Sequence, residues 1–228
     1  MRRALCRERK RAVCEGGTVR GKGWLDPEKA LRYARWKRVL ARLVPPSFPR
    51  QITRVVSSLE KGATVVDLGA GPGILALELH KLWPEARIIC VDPSPTMLKI
   101  CEENATKAGV KNLETRSGRA EAIPIESESV TLVVSESSLH EWADPKLAFT
   151  EIHRILVPGG KLVLKDYNRA WLSEWKRRIF GHLHPLHMFK FTLAEVTDML
   201  KEAGFIEVQG REIGPQFVTW ATKSRKGS

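Results

Sequence analysis

From residue 63 onward, short apolar or β-branched runs alternate with stretches whose apolar positions recur every three to four residues. The runs at 64–68, 87–92, 113–117, 130–135 and 161–166 are each bounded by turn residues, which predicts five strands. Between them, 74–82, 94–108 and 147–156 carry the helical period. Strands that alternate with helices imply parallel βαβ units, hence an α/β, doubly wound sheet with helices on both faces. The alternation breaks near the end. Segments 205–213 and 216–223 read as two strands joined by Gly214-Pro215, a hairpin that closes the sheet with an antiparallel strand.

Upstream of this body, Asp26-Pro27 opens a helix, with Asp as N-cap and Pro in the first turn where its missing N–H is harmless. Tyr33, Trp36, Leu40 and Leu43 fall at helical spacing, beside a stripe of Arg32, Arg35, Arg38 and Arg42. Pro45-Pro46 ends it, and a second short helix is expected over 48–59. The organisation expected is a basic flexible arm at 1–23, a pair of cap helices at 24–60, and the main domain at 61–228, with an insertion at 166–191.

Charge sharpens that division. The net charge of +12 resides in residues 1–54, where sixteen Lys and Arg face four Asp and Glu, and the remainder is balanced. Such an arm attracts polyanions, so RNA or an anionic membrane surface is a candidate partner through residues 1–54. No apolar run reaches 18 residues, so no transmembrane segment is expected. The basic start lacks the apolar core of a secretory signal. Cys6, Cys14, Cys90 and Cys101 fit neither a zinc knuckle nor a disulfide framework, and read as reduced thiols of a cytoplasmic protein. The sequence leaves the oligomeric state open.

The most informative segment is VVDLGAGPGILALEL at 65–79. A buried strand ends in Asp67, and Gly69, Gly71 and Gly73 then precede a helix, so the backbone turns sharply and offers helix N–H groups to a ligand. The spacing is G-x-G-x-G rather than the G-x-G-x-x-G of dinucleotide sites, and an acid stands two residues before the first glycine. A carboxylate there would repel a pyrophosphate. It suits S-adenosylmethionine (SAM), which has no phosphate and carries a sulfonium and an ammonium. Asp92 ends the next strand, 25 residues later, where a carboxylate accepts hydrogen bonds from ribose hydroxyls.

VVDLGAGPG, VDPSPTML, SGRAEAIPIESESVTLVVSESSLHEW and LVPGGKLVLKD together resemble the methyltransferase domain 11, or UbiE-like, group of class I SAM-dependent methyltransferases. The resemblance covers roughly 60–165 and continues in FTLAEVTDMLKEAGF. It implies a Rossmann-like, seven-stranded sheet with a reversed final strand, SAM as cofactor, and methyltransferase activity. It places Asp67, Gly69, Ala70, Gly71 and Gly73 around the methionine part, and Asp92, Pro93, Ser94 and Met97 around the ribose and adenine. Family members carry Gly-Asp-Ala-Glu where this chain has Gly118-Arg119-Ala120-Glu121. Arg cannot accept a hydrogen bond, so either Glu121 or a backbone carbonyl meets the adenine amino group, or adenine is held mainly by stacking, with Arg119 able to lie over the ring face.

For the acceptor, His140 in SESSLHEW is the candidate general base, with Glu141 the weaker option and structural packing the alternative. Ser135 is expected at the strand edge near the methionine part. The insertion at 166–191 is rich in aromatics and suits a cap over a planar or greasy acceptor. His182, His184 and His187 lack matched ligand spacing, and no metal site is expected. The leading expectation is methyl transfer to a small or amphiphilic molecule. The rivals are an RNA or protein methyltransferase recruited by the arm, and a SAM-binding partner subunit without turnover.

Overall fold

The computed structural model describes residues 26–43, 47–172 and 186–225. Its centre is a seven-stranded sheet in the order β3-β2-β1-β4-β5-β7-β6. The strands are β1 (Thr64–Leu68), β2 (Arg87–Asp92), β3 (Leu113–Ser117), β4 (Val130–Glu136), β5 (Leu156–Tyr167), β6 (Phe205–Ile213) and β7 (Gln216–Lys223). β1 to β5 pair in parallel, while β7 inserts between β5 and β6 and runs antiparallel to both. The reversed final strand is therefore present, and the hairpin turns at Gly214-Pro215 with Ile213 facing Gln216.

Helices cover both faces. Val66, Leu68, Val133 and Leu164 point to one side, against α5 (Pro145–Ile155) and α6 (Leu193–Glu202) through Phe149, Ile152 and Leu200. Val65, Ile88, Leu132 and Val163 point to the other, against α2 (Phe48–Val55) and α3 (Ile74–Leu82) through Phe48, Ile52 and Leu79. Burial on both faces explains why these strands read as continuous apolar runs rather than alternating ones. Phe149 is fully buried, and truncation to Ala there would cost about 3–5 kcal/mol.

The helices start where their caps stand. Ser94 accepts the N–H of Met97 ahead of α4 (Pro95–Lys107), and Asp144 accepts that of Leu147 ahead of α5. Thr192 and Glu195 form a reciprocal capping box on α6. Asp26 caps α1 (Pro27–Leu43) as expected, accepting the N–H of Glu28 at 3.0 Å. Arg32 and Arg35 of the arginine stripe are exposed, while Ala30 and Ala34 are buried. The side chains of Trp36, Arg38, Leu40, Arg42 and Leu43 lie outside the described residues, as do residues 1–23.

Two boundaries differ from expectation. α2 ends at Val55 rather than near residue 59, because Val56 is extended and turns its side chain into the core. β5 begins at Leu156 rather than 161, since Leu156 already pairs with Val130 and the ladder then shifts register. Gly160 makes that shift possible: an added Cβ would meet Val157 O at 2.9 Å. Among the described residues no helix is long and apolar enough to cross a membrane.

Candidate functional site

The C-terminal ends of β1, β2 and β4 open into one cleft, the place where a doubly wound sheet receives a ligand. The loop from β1 to α3 forms its floor. The N–H groups of Gly69 and Ala70 both donate to Val91 O, at 2.8 and 3.2 Å, which folds the loop back over β2. Gly69 has φ +76°, and a Cβ there would stand 2.4 Å from Ser138 Cβ, so the loop after β4 can approach only a glycine. Gly71, also left-handed at φ +52°, has nothing within 4 Å of an added Cβ and leaves open backbone beside the cleft. Gly73 serves packing instead: its Cβ would overlap Cys101 Sγ on α4. The Cys90 thiol is hydrogen-bonded to Cys101, and this bond together with burial pushes its pKa well up, as befits an inert thiol.

Two carboxylates face this floor. Asp67 is 1% exposed, and its Oδ2 has no hydrogen-bond partner. Burial, and then the negative charges of Glu136 and Asp92, push its pKa up to about 8. Asp92 is better provided for: Oδ2 accepts the N–H of Gly71 and Oδ1 that of Ser94, each at 2.9 Å. Each oxygen keeps a further lone pair for a ligand hydroxyl. Burial nevertheless raises its pKa.

Asp67, Gly69, Ala70, Gly71, Asp92, Pro93, Met97, Arg119, Ala120 and Glu121 all line the cleft. Glu121 is less free than expected. Its Oε1 accepts the N–H groups of Ala143 (2.6 Å) and Asp144 (3.2 Å), and its Oε2 pairs with Arg119 Nε at 3.4 Å.

Three expected residues stand elsewhere. Gly73 faces α4, as described. Ser135 is fully buried behind the wall, its hydroxyl 2.6 Å from that of Ser138, and Glu136, Ser137 and Ser138 line the cleft in its place. His140 lies on a short 3-10 turn (Leu139–Glu141) with its ring 4% exposed, and the neighbouring Glu141 lines the cleft.

The sequence reading missed Asp166 and Glu136, and it gave Tyr33 only a packing role. Asp166 Oδ1 lies 2.8 Å from His140 Nδ1. Glu136 Oε1 pairs with Lys165 Nζ at 2.6 Å. Tyr33 reaches the cleft from α1, and burial together with Glu136, Asp92 and Asp166 pushes its pKa up. The available signal was that both acids close a strand at the sheet's C-terminal edge.

Among the described residues no three His, Cys, Asp or Glu side chains gather as a metal site. His182 and His184 lie outside those residues, with most of the 166–191 insertion.

Residues 66–164 match the family described as "Methyltransferase domain". These residues form a methyltransferase domain of the class I, SAM-dependent kind. Over 170 residues it is 27% identical to an arsenite methyltransferase of Halobacterium salinarum, covering 73% of this chain and 44% of that one. It is 31% identical to the chloroplastic 2-methyl-6-phytyl-1,4-hydroquinone methyltransferase of Arabidopsis thaliana, covering 67% and 43%. The chain thus spans less than half the length of either relative. In fold it superposes on a Haemonchus contortus phosphoethanolamine N-methyltransferase 2, in complex with SAM, with a TM-score of 0.74 at 16% identity, covering 92% of this chain and 61% of that one.

The cofactor that this family implies is SAM, and the residues present fit it. The unpartnered Asp67 Oδ2 supplies an acceptor for a cationic ligand, at a depth where a carboxylate without a partner is costly. The open backbone at Gly71 and the spare lone pairs of Asp92 suit the ribose, while Met97, Pro93 and Arg119 would flank the adenine.

Proposed function

We propose that the protein transfers a methyl group from SAM to a small or amphiphilic acceptor bound where Tyr33, Glu141 and Trp142 meet. The observation that carries this reading is that these three residues line the same cleft as the glycine loop. SAM, when bound, supplies a methyl group already activated on a sulfonium. The chain's own work is then to hold the acceptor in line and to keep water out. Trp142, 6% exposed and edge-on to Phe149 at 5.6 Å, is a fixed apolar surface for the acceptor. Among the described residues of the 166–191 segment, Tyr167 and Trp171 pack against Phe189, with centroids at 5.3 and 6.2 Å, which supports an aromatic cap. His140, with Tyr167 edge-on at 6.0 Å, stands behind the cleft lining, next to Glu141.

A second reading takes RNA as the substrate. The +12 charge confined to residues 1–54 favours it, with Arg32 and Arg35 exposed on α1. One experiment separates the two: tritiated SAM is incubated with host-cell extract, which is then split into RNA, protein and solvent-soluble fractions. Label in the solvent fraction supports a small or amphiphilic acceptor, and label in RNA supports the second reading. No label anywhere, with SAM binding intact, would overturn both in favour of a SAM-binding subunit without turnover.

A further inference from the structure

His140 sits just behind the cleft wall, and its surroundings give its ring a direction. Asp166 Oδ1 lies 2.8 Å from Nδ1, and Asp166 Oδ2 accepts the backbone N–H of His140 at 3.2 Å. The N–H of Tyr167 also donates to Oδ1, at 2.7 Å. Three donors converge on one carboxylate that is 1% exposed, which places a hydrogen on Nδ1, and in that tautomer Nε2 presents a lone pair. That lone pair faces Glu141 Oε1 at 3.8 Å, and the same oxygen lies 3.6 Å from His187 Nε2. A lone pair and a carboxylate that face each other repel until a proton lies between them.

The other carboxylates of the cleft are placed for other work. Asp67 and Asp92 face the cofactor loop, Glu121 holds the backbone at 143–144, and Glu136 is tied to Lys165. Glu141 alone among the described cleft carboxylates has only imidazoles as charged partners, and an imidazole both takes a proton and passes one on.

We infer that Glu141 is the catalytic proton acceptor, with His140 sharing the proton and Asp166 as a positioning residue that fixes the His140 tautomer. The inference rests on the methyl-transfer reading above. The proton leaves the acceptor's heteroatom for Glu141 Oε1, and the electron pair of the broken bond stays on that heteroatom as its nucleophilic lone pair. The proton is then held between Glu141 and His140 Nε2, and His187, 64% exposed, gives it a way to solvent.

Two readouts test this on the full-length protein. In ¹⁵N NMR of histidine-labelled protein, with His140 assigned from His140→Gln, the wild type shows a protonated Nδ1. Asp166→Asn loses that tautomer, and Glu141→Gln shifts the Nε2 resonance alone. In the labelling assay, Glu141→Gln lowers the initial rate by about 10²–10⁴-fold, the usual worth of general base catalysis, with SAM affinity within about twofold of wild type. Formate restores part of the rate to Glu141→Ala. A bare Nδ1 in the wild type, or an Nε2 signal indifferent to Glu141→Gln, would overturn the inference. So would labelling by Glu141→Gln at the wild-type rate. Absence of label from the wild type would instead strike the methyl-transfer reading, while the NMR arm still decides the geometry.

Discussion

The carboxylate of Asp92 holds the backbone N–H of Gly71 at 2.9 Å, so the acid that ends β2 also fixes the glycine loop that follows β1. Two parts of the cofactor site that lie 21 positions apart in the chain are one mechanical unit. Asp92→Ala therefore removes a ligand for the ribose and a support for the loop together. Its SAM affinity, measured by calorimetry, should fall by about 1.5–3 kcal/mol, the range for a hydrogen bond to a charged group. Unchanged affinity would refute both roles.

Asp67 should make the empty protein sensitive to pH. Its folded pKa of about 8 lies above the ordinary 3.8. Below about pH 4 the carboxyl is protonated in both states. Between about 4 and 8 the folded protein keeps a proton that the unfolded chain has given up, so this group's contribution to stability falls as pH rises and levels off above 8. Asp67→Asn should accordingly raise the melting temperature of the SAM-free protein at pH 9 and leave it near wild type at pH 4.

The same carboxyl ties SAM binding to proton release. A cationic ligand favours the ionised form, so binding at pH 7 should expel a proton from Asp67. Calorimetry in two buffers of different ionisation enthalpy reads this directly, and the Asp67→Asn protein should show none of it.

The two left-handed glycines at the loop should separate by cost. Gly69→Ala adds backbone strain and drives a Cβ to 2.4 Å from Ser138 Cβ, whereas Gly71→Ala adds the strain alone. Left-handed backbone costs an ordinary residue about 1–2 kcal/mol, and overpacking typically adds about 1–3 kcal/mol. Urea denaturation should find Gly69→Ala the less stable of the two.

If the RNA reading holds, binding of a tRNA pool should weaken steeply between low and moderate salt, and removal of residues 1–25 should flatten that slope. Indifference to salt would sink the reading while leaving SAM binding untouched.

What the sequence disclosed was mostly local. The Asp67-to-Gly73 loop, the acid at Asp92 and the strand–helix alternation each lie within a short window, where spacing states the geometry. Ser135 shows the limit of such reading. Successive strand residues face opposite sides, so an assignment one residue early placed in the cleft a side chain that points behind it, while Glu136 lines the cleft. Asp166 was hidden for a different reason. It reaches His140 only because β4 and β5 pair in register, Glu136 beside Lys165, which no spacing rule along the chain conveys. Tyr33 was seen as one rung of an amphipathic helix, but the docking that carries it to the cleft is tertiary. The β5 start was misplaced because glycine and proline in 156–160 read as a turn, whereas the ladder absorbs them in a register shift.

The place of β7 bears on how the chain is made. β5 leaves the ribosome well ahead of β7, yet its free edge is covered only by β7, which follows β6. For the time it takes to translate roughly fifty residues, the nascent chain carries an open strand edge beside an apolar face, the kind of surface that recruits a neighbouring chain or a chaperone. Slow codons or a bulky fusion placed just after β6 should therefore lower soluble yield more than the same burden placed before β1.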